Sequence, residues 1–435
     1  MAREMKDSGI EWIGEIPREW ETARLKTLFS FGKGLPITKE NLCEFGVPVI
    51  SYGQIHSKTN TGVKVQKDLI RYVSESYLET NEQSLVNESD FIFADTSEDM
   101  DGCGNCVYVD SQSVLFAGYH TIILHSRKNR NNRYLAYLFK TDNWRCQIRG
   151  RVSGVKVFSI SRKILSDAAV LLPPVSEQQT IADFLDNQCS HIDSVIEKTH
   201  AAIEEYKKLK QVVITQAVTK GIRPNREMKD SGIEWIGTMP KDWLVMPSKW
   251  LFYNSDLRKQ DGDEQMTASQ QYGIITQKKY MELTGSKVVF ANKGLEDWKH
   301  VEPNDFIISL RSFQGGLEMS ESTGCITWHY IVLKPRKEII SYYYKWLFKS
   351  EMYIKALQRT CNYIRDGQDL RYSNFVQVPL VEPSLIEQKE IADFLNEKTA
   401  AIDSLIQKKE QLIKELDSYK KSLIYEYVTG KKEVV

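Results

Sequence analysis

No stretch of the 435-residue chain reaches the roughly 18 consecutive apolar residues that a membrane-spanning helix requires. The opening residues, MAREMKDSGIEWIGEIPREW, have no apolar core of the kind a secretory leader carries. Cysteine is sparse and odd in number, seven in all, which argues against a disulfide framework. These absences predict a cytoplasmic protein of a reducing compartment, with no membrane partner. Catalytic signatures are missing as well. There is no G-x-x-x-x-G-K-[ST] phosphate loop, and Pro173-Pro174 follows neither Asn nor Asp, so it is no adenine-methyltransferase signature. Phe31-Gly32-Lys33-Gly34 lacks the third glycine and the downstream acid of a cofactor loop and reads as a turn. No Ser/His/Asp grouping or carboxylate pair stands at a readable spacing, so an enzyme is not expected.

What is present is a chain able to build real cores, with 41% hydrophobic and 11% aromatic residues. Charge is balanced, 58 Lys+Arg against 58 Asp+Glu, but segregated. Residues Val73 to Ser126 contain no Lys or Arg and ten acids, whereas Arg127 to Lys163 contain eleven cations and only Asp142 as an acid. Local fields of this kind attract polyanions even when the whole-chain sum is zero.

The chain is also doubled. Met5–Trp20 reads MKDSGIEWIGEIPREW and Met228–Trp243 reads MKDSGIEWIGTMPKDW, identical at twelve of sixteen positions. Glu177 opens EQQTIADFL and Glu387 opens EQKEIADFL, each followed by a long run without Gly or Pro. The plan is signature, globular segment, long helix, twice over. A ladder alternating four and three residues runs through each helix. In the first it takes Ile181, Leu185, Ile192, Val195, Tyr206, Leu209 and Val213. In the second it takes Ile391, Leu395, Ile402, Leu405, Leu412, Leu416, Tyr419 and Leu423. A sustained 3.5-residue stripe is a coiled-coil seam, and two seams in one chain can bury each other. An antiparallel pairing puts the least demand on the linker between the copies. The fold class expected is α+β: two tandem mixed α/β domains separated by two long helices in an antiparallel coiled coil, with an approximate two-fold axis. The boundaries expected are 1–176 for the first signature and domain, 177–221 for the first helix, 222–386 for the second signature and domain, and 387–435 for the second helix.

The middles diverge and read as short strands between Gly and Asn turns. Strands are expected at Val47–Ser51, Asp90–Ala94, Val114–Ala117 and Thr121–Leu124, then at Tyr272–Thr276, Asp305–Leu310 and Cys325–Leu333. Cys103-x2-Cys106-x13-His120-x4-His125 has the spacing of a two-Cys, two-His zinc site. His120 and His125 bracket an expected strand, however, and positions five apart on a strand point to opposite faces, so no metal is expected.

Cationic stretches with Gly, Asn and Ser follow the strands in both copies. The first supplies Arg145, Arg149, Arg151, Ser153, Lys156 and Arg162, and the second Arg359, Arg365, Gln368 and Arg371. Arg311, Ser312 and Gln314 after one strand are matched in position by Thr96 and Ser97 after another. Lys and Arg attract phosphates without regard to sequence, while Arg, Gln, Ser and Thr on loops can reach base edges. These residues are the candidate double-stranded-DNA readers. Trp12, Trp20, Trp235 and Trp243 in the signatures are candidate partner anchors; the competing reading is that they pack locally on the helices.

The doubled signature, the doubled EQ-x2-IADFL opening and the tandem middles resemble the specificity subunit of a type I restriction-modification system. The resemblance spans nearly the whole chain and is closest in the signatures and helices. It implies that each middle is a target-recognition domain reading one half of an asymmetric bipartite DNA site, and that the helices set the spacer. It implies two adenine-methyltransferase subunits and, joining later, ATP-driven restriction subunits. S-adenosylmethionine, ATP and Mg would belong to those partners, and this subunit would hold no cofactor. The alternative class is a coiled-coil scaffold that holds protein partners and does not read DNA.

Overall fold

The computed structural model describes residues 3–127, 132–310, 312–361 and 370–434. The chain forms two compact units. Unit 1 comprises Met1–Lys198 with Leu412–Val435, and unit 2 comprises Thr199–Gln411. Two long helices, Val175–Lys220 and Leu385–Val428, each contribute one part to each unit. Pro173-Pro174 and Pro383 stand just before these helices, where proline costs no intrahelical hydrogen bond.

Unit 1 opens with a hairpin, Met5–Asp7 against Glu15–Pro17. Its body holds two four-stranded sheets. One is antiparallel in the order Cys106–Tyr108, Phe91–Ala94, Thr121–Ser126, Phe29–Lys33. The other runs Arg71–Val73, Val47–Ile50, Leu115–Ala117, Leu85–Val86 and contains one parallel pair. Helices Arg133–Lys140 and Asp142–Arg149 cover the first sheet with a buried aromatic layer of Phe91, Phe93, Phe139 and Trp144. Unit 2 repeats this scheme with a four-stranded antiparallel sheet in the order Phe252–Ser255, Ile331–Pro335, Phe306–Ile308, Glu318–Met319. Helices Ser341–Lys349 and Glu351–Arg359 bury Tyr343, Tyr344, Phe348 and Tyr353 beneath them.

Of the seven strands expected from the sequence, six lie within a residue or two of observed ones. The exception is Cys325–Leu333, read as one strand. The chain instead forms Gly324–Ile326, paired with Lys299–Val301, and Ile331–Pro335 in a different sheet. A turn at residues 327–330, closed by Tyr330 N–H donating to Thr327 O at 3.0 Å, separates them. No Gly or Pro marks that turn, so local composition cannot reveal it.

The helices pair antiparallel inside each unit. In unit 1, Ile181, Leu185 and Ile192 share a core with Leu423, Ile424 and Val428, Phe184 meets Tyr427, and Asp193 binds Lys420. In unit 2, Ile214, Ala217 and Val218 share a core with Ile391, Ala392 and Leu395, and Lys210 binds Asp403 at 2.6 Å. Position rises on one helix as it falls on the other. The expected seam is corrected in one respect. Ile181, Leu185, Ile192, Ile391, Leu395, Ile402 and Leu423 are buried and Val195, Tyr206, Val213 and Leu416 half-buried, but Leu209, Leu405, Leu412 and Tyr419 are exposed. Their places go to the next residue along: Lys210, Ile406, Ile413 and Lys420 are all less exposed. Leu405-Ile406 and Leu412-Ile413 are adjacent apolar pairs, and a single-helix pattern cannot say which member faces a partner.

Each unit docks its signature onto the start of a long helix through the same three residues. Trp20 is fully buried and its indole N–H donates to Glu177 at 3.0 Å, and Arg3 binds Glu177 at 2.6 Å. In unit 2, Trp243 donates to Glu387 at 2.9 Å, and Arg226 pairs with Glu387. Both arginines stack over their tryptophans at 5.6 Å. Tyr134 and Tyr343 then donate to the backbone carbonyls of Val428 and Val218, near the helix ends.

Candidate nucleic-acid interface

The basic stretch of unit 1 separates into braces and an exposed loop. Arg145 donates to Phe139 O at 2.8 Å and to Asn105 Oδ1 at 2.6 Å, and burial pushes its pKa down. Arg149 is spent on Asp101 O and Asp142. Neither is presented to a ligand as the charge pattern suggests; both tie the Asp142–Arg149 helix to neighbouring loops. Arg151, Ser153 and Lys156, by contrast, are exposed. They lie on a loop whose base is closed by Ser159 N–H donating to Ser153 O at 2.9 Å. Gly154 sits at φ +135°, and a Cβ there would lie 1.9 Å from Val157 O, so the loop requires glycine. Val155 is 92% exposed, so the tip offers apolar as well as cationic surface.

This loop continues into Phe158–Ser159, which pairs with Thr96–Ser97. Thr96 is half-buried and its hydroxyl donates to Asp95. Ser97 is buried with its hydroxyl donating to Asp99 O at 2.7 Å, so it shapes the following turn and is not available as a reader. Arg162 is exposed on the first turn of Arg162–Ser166. On the other side of Thr96, Asp95 N–H donates to His120 O at 3.0 Å. Three segments, 95–97, 119–120 and 151–159, thus form one continuous edge. Gly34 of Phe31-Gly32-Lys33-Gly34 serves this edge by close approach, since a Cβ there would lie 1.9 Å from Gly118 O.

In unit 2, Gln314 is exposed, whereas Ser312 is buried and its hydroxyl accepts from Ser309 N–H at 2.9 Å. Arg359 is exposed and ion-paired to Glu234 of the signature. Arg371 is exposed at the head of a short helix, Tyr372–Phe375. Arg311, Arg365 and Gln368 lie outside the described residues. The tryptophans resolve toward local packing. Trp20, Trp235 and Trp243 are buried, Trp235 donating to Pro379 O at 3.2 Å, and Trp12 is half-buried. A partner has no access to the three buried rings.

The cysteine–histidine spacing does not assemble a site. Cys103 and Cys106 are buried, and burial raises the thiol pKa of both, that of Cys106 to about 12. His125 is held by Asp90 at 2.8 Å, while His120 meets Asp95 at 3.3 Å. Among the described residues no group of three or more His, Cys, Asp or Glu side chains is placed to hold a metal, and no helix is long and apolar enough to cross a membrane.

Sequence reasoning missed a cleft where each body meets the helices. In unit 1, a cavity of about 780 Å³ is lined by Lys140, Arg145, Arg149, Lys420 and Lys421 together with Asp142 and Asp417. Burial first, then the nearby Lys420 charge, pushes Lys140 down to about 8. In unit 2 the matching Lys349 is paired with Glu318, whereas Lys210 pairs with Asp403 just as Lys420 pairs with Asp193 in unit 1. Helix positions 140 and 420 lie far apart in sequence, so no motif marks the pairing.

Divergent bodies on a repeated helical frame, each with exposed polar and cationic side chains, define a tandem two-body architecture. The family description "Type I restriction modification DNA specificity domain" matches residues 17–205. The chain is 26% identical over 429 residues to the putative type I restriction enzyme MjaX specificity subunit of Methanocaldococcus jannaschii, covering 96% of this chain and 95% of that one. It is 21% identical over 212 residues to the EcoKI specificity subunit of Escherichia coli K12, 47% of this chain and 44% of that one. Among solved structures it resembles the HsdS subunit of Thermoanaerobacter tengcongensis, with TM-score 0.53, 14% identity and coverage of 96% and 98%. It also resembles a chain from a structure describing complex assembly and conformational transition of the type I R-M system, with TM-score 0.66, 14% identity and coverage of 96% and 99%. The chain is thus similar to type I specificity subunits over nearly its whole length, and the match to the specificity domain lies in residues 17–205.

Proposed function

We propose that this chain reads an asymmetric, bipartite site in double-stranded DNA and directs a methylating and cleaving complex to it. Residues 1–176 and 222–386 each read one half-site, and helices 177–221 and 387–435 fix the spacer between the halves. The observation that carries this reading is the doubled frame with unlike reading edges: repeated signatures and helix contacts hold segments that differ in the two units. Two readers on a common frame specify half-site separation as well as sequence, and linkage raises the effective concentration of the second reader.

Two adenine-methyltransferase subunits would dock on this chain, with restriction subunits joining them. S-adenosylmethionine, ATP and Mg would be held by those partners. The exposed apolar positions Leu412 and Tyr419, on the part of the second helix that belongs to unit 1, offer a surface for a methyltransferase subunit better than the buried tryptophans do.

Modification mapping of cells with and without the gene tests the function. The expected result is loss of one split adenine motif when the gene is removed; unchanged marks would overturn it. A scaffold that ignores DNA is separated by the double change Arg151→Ala, Lys156→Ala. The DNA-reading function predicts weaker binding, with the slope of log affinity against log salt shallower by about two, roughly one for each phosphate that is no longer neutralised. A scaffold predicts no change in either.

A further inference from the structure

Both units carry an aromatic residue followed by histidine at the turn that enters a central strand. Tyr119-His120 precedes Thr121–Ser126, and Trp328-His329 precedes Ile331–Pro335. Each dipeptide also follows a short strand, Leu115–Ala117 or Gly324–Ile326. The repetition falls in the part of the chain where the two copies otherwise diverge.

In unit 1 the turn is tightly built. Thr121 Oγ1 donates to Gly118 O at 2.6 Å, and Tyr52 N–H donates to Tyr119 O at 3.3 Å. Tyr52 lies edge-on to both Tyr119 and His120, at 5.6 and 5.4 Å. His120 is exposed and adopts φ +54°, a left-handed conformation unfavourable for a residue with a Cβ. In unit 2, Trp328 is 53% exposed and stacks on His329 with ring centroids 3.5 Å apart. Tyr119 touches a small core cluster from its margin, whereas His120, Trp328 and His329 are all exposed, so packing does not account for the repeated pair.

Position gives the pair a purpose. Ala94 pairs with Thr121 and Ile308 with Ile331, so each turn emerges beside the segment following a central strand: Asp95-Thr96 in unit 1, Ser309-Leu310 in unit 2. In unit 1 that edge continues into the loop bearing Arg151 and Lys156. Cations there serve phosphates; an aromatic ring and an imidazole supply what phosphate binding lacks, namely apolar contact with base methyls and hydrogen bonds to base edges.

We propose that Tyr119-His120 and Trp328-His329 are base-reading tips, each contributing specificity toward one half of the DNA site. This rests on the DNA-reading function proposed above. The test uses the full chain assembled with its methyltransferase partner, and duplexes carrying the mapped motif or base changes in one half only. His120→Gly keeps the left-handed backbone while removing the imidazole, and Trp328→Ala and His329→Gln address unit 2.

The expected result is about tenfold weaker binding to the motif, unchanged non-specific binding and salt slope, and relaxed discrimination in one half alone. His120→Gly should affect one half and the unit 2 variants the other. Equal loss on specific and non-specific DNA, or unchanged discrimination, would overturn the proposal. If Trp328→Ala fails to fold, Trp328→Phe and His329→Gln carry the same readout. A wild-type complex without any preferred site would sink the function itself, whereas a selective wild type with equally selective variants would sink only the tips.

Discussion

Glu387→Ala is expected to destabilise unit 2 by about 3–5 kcal/mol, the cost of removing one partner from a buried ion pair. The Glu387 side chain is 2% exposed and accepts from both Arg226 and the Trp243 indole. Alanine strands a buried indole N–H and leaves Arg226 only Asp242, which lies toward solvent. Glu387→Gln keeps an acceptor for Trp243 and should cost less. The equivalent Glu177 side chain is 22% exposed, so Glu177→Ala should cost less as well. Urea unfolding of the full chain, with hydrogen exchange on residues 228–240, measures both. Stability within about 1 kcal/mol of wild type for Glu387→Ala would show that the signature is held by other contacts.

The second large effect concerns the spacer. Inserting seven residues after Lys198 and seven after Gln411 preserves the heptad pattern on both helices. It adds about 10 Å of helix at ~1.5 Å per residue. At ~3.4 Å of rise per base pair, the preferred spacer should lengthen by up to about three base pairs. Inserting into one helix alone leaves a heptad without a partner and slides the remaining seam. Asp193–Lys420 and Lys210–Asp403 then cannot both form, and site-specific methylation should be lost. Modification mapping reads both outcomes. An unchanged spacer in the double insertion would refute the ruler role of the helices.

These two experiments probe what the repeated sequences have in common. The MKDSGIEWIG signature and the EQ-x2-IADFL opening recur together because they bind each other: the last tryptophan of one meets the first glutamate of the other, and an arginine just before the signature completes the set. Trp20 and Trp243 are large and aromatic, and their type alone fits an exposed anchor as well as a core residue. Their own burial and their hydrogen bonds to Glu177 and Glu387 decide in favour of the core.

The charge pattern was legible only in part. It singled out the region from Arg145 to Lys163, and the exposed loop with Arg151 and Lys156 lies within it. It could not separate those residues from Arg145 and Arg149, because a bracing arginine and a phosphate-binding arginine differ only in what stands nearby. Asn105 and Asp101 belong to a segment some forty residues earlier. The same limit hid the aromatic–histidine turns. His120 stood out only for a metal spacing, and Trp328-His329 disappeared into an unbroken β-rich run.

The sequence by itself determined the doubling, the mixed α/β middles and the two long helices, since repeats and heptads are local and periodic; it favoured their antiparallel pairing through linker length but did not force it. Tertiary structure alone decided which neighbour of each apolar pair faces the partner helix, where the run from Cys325 to Leu333 breaks, and which polar residues remain exposed. Those outcomes depend on atoms brought together from distant positions, and burial and charge pairing are set by that proximity and not by residue type.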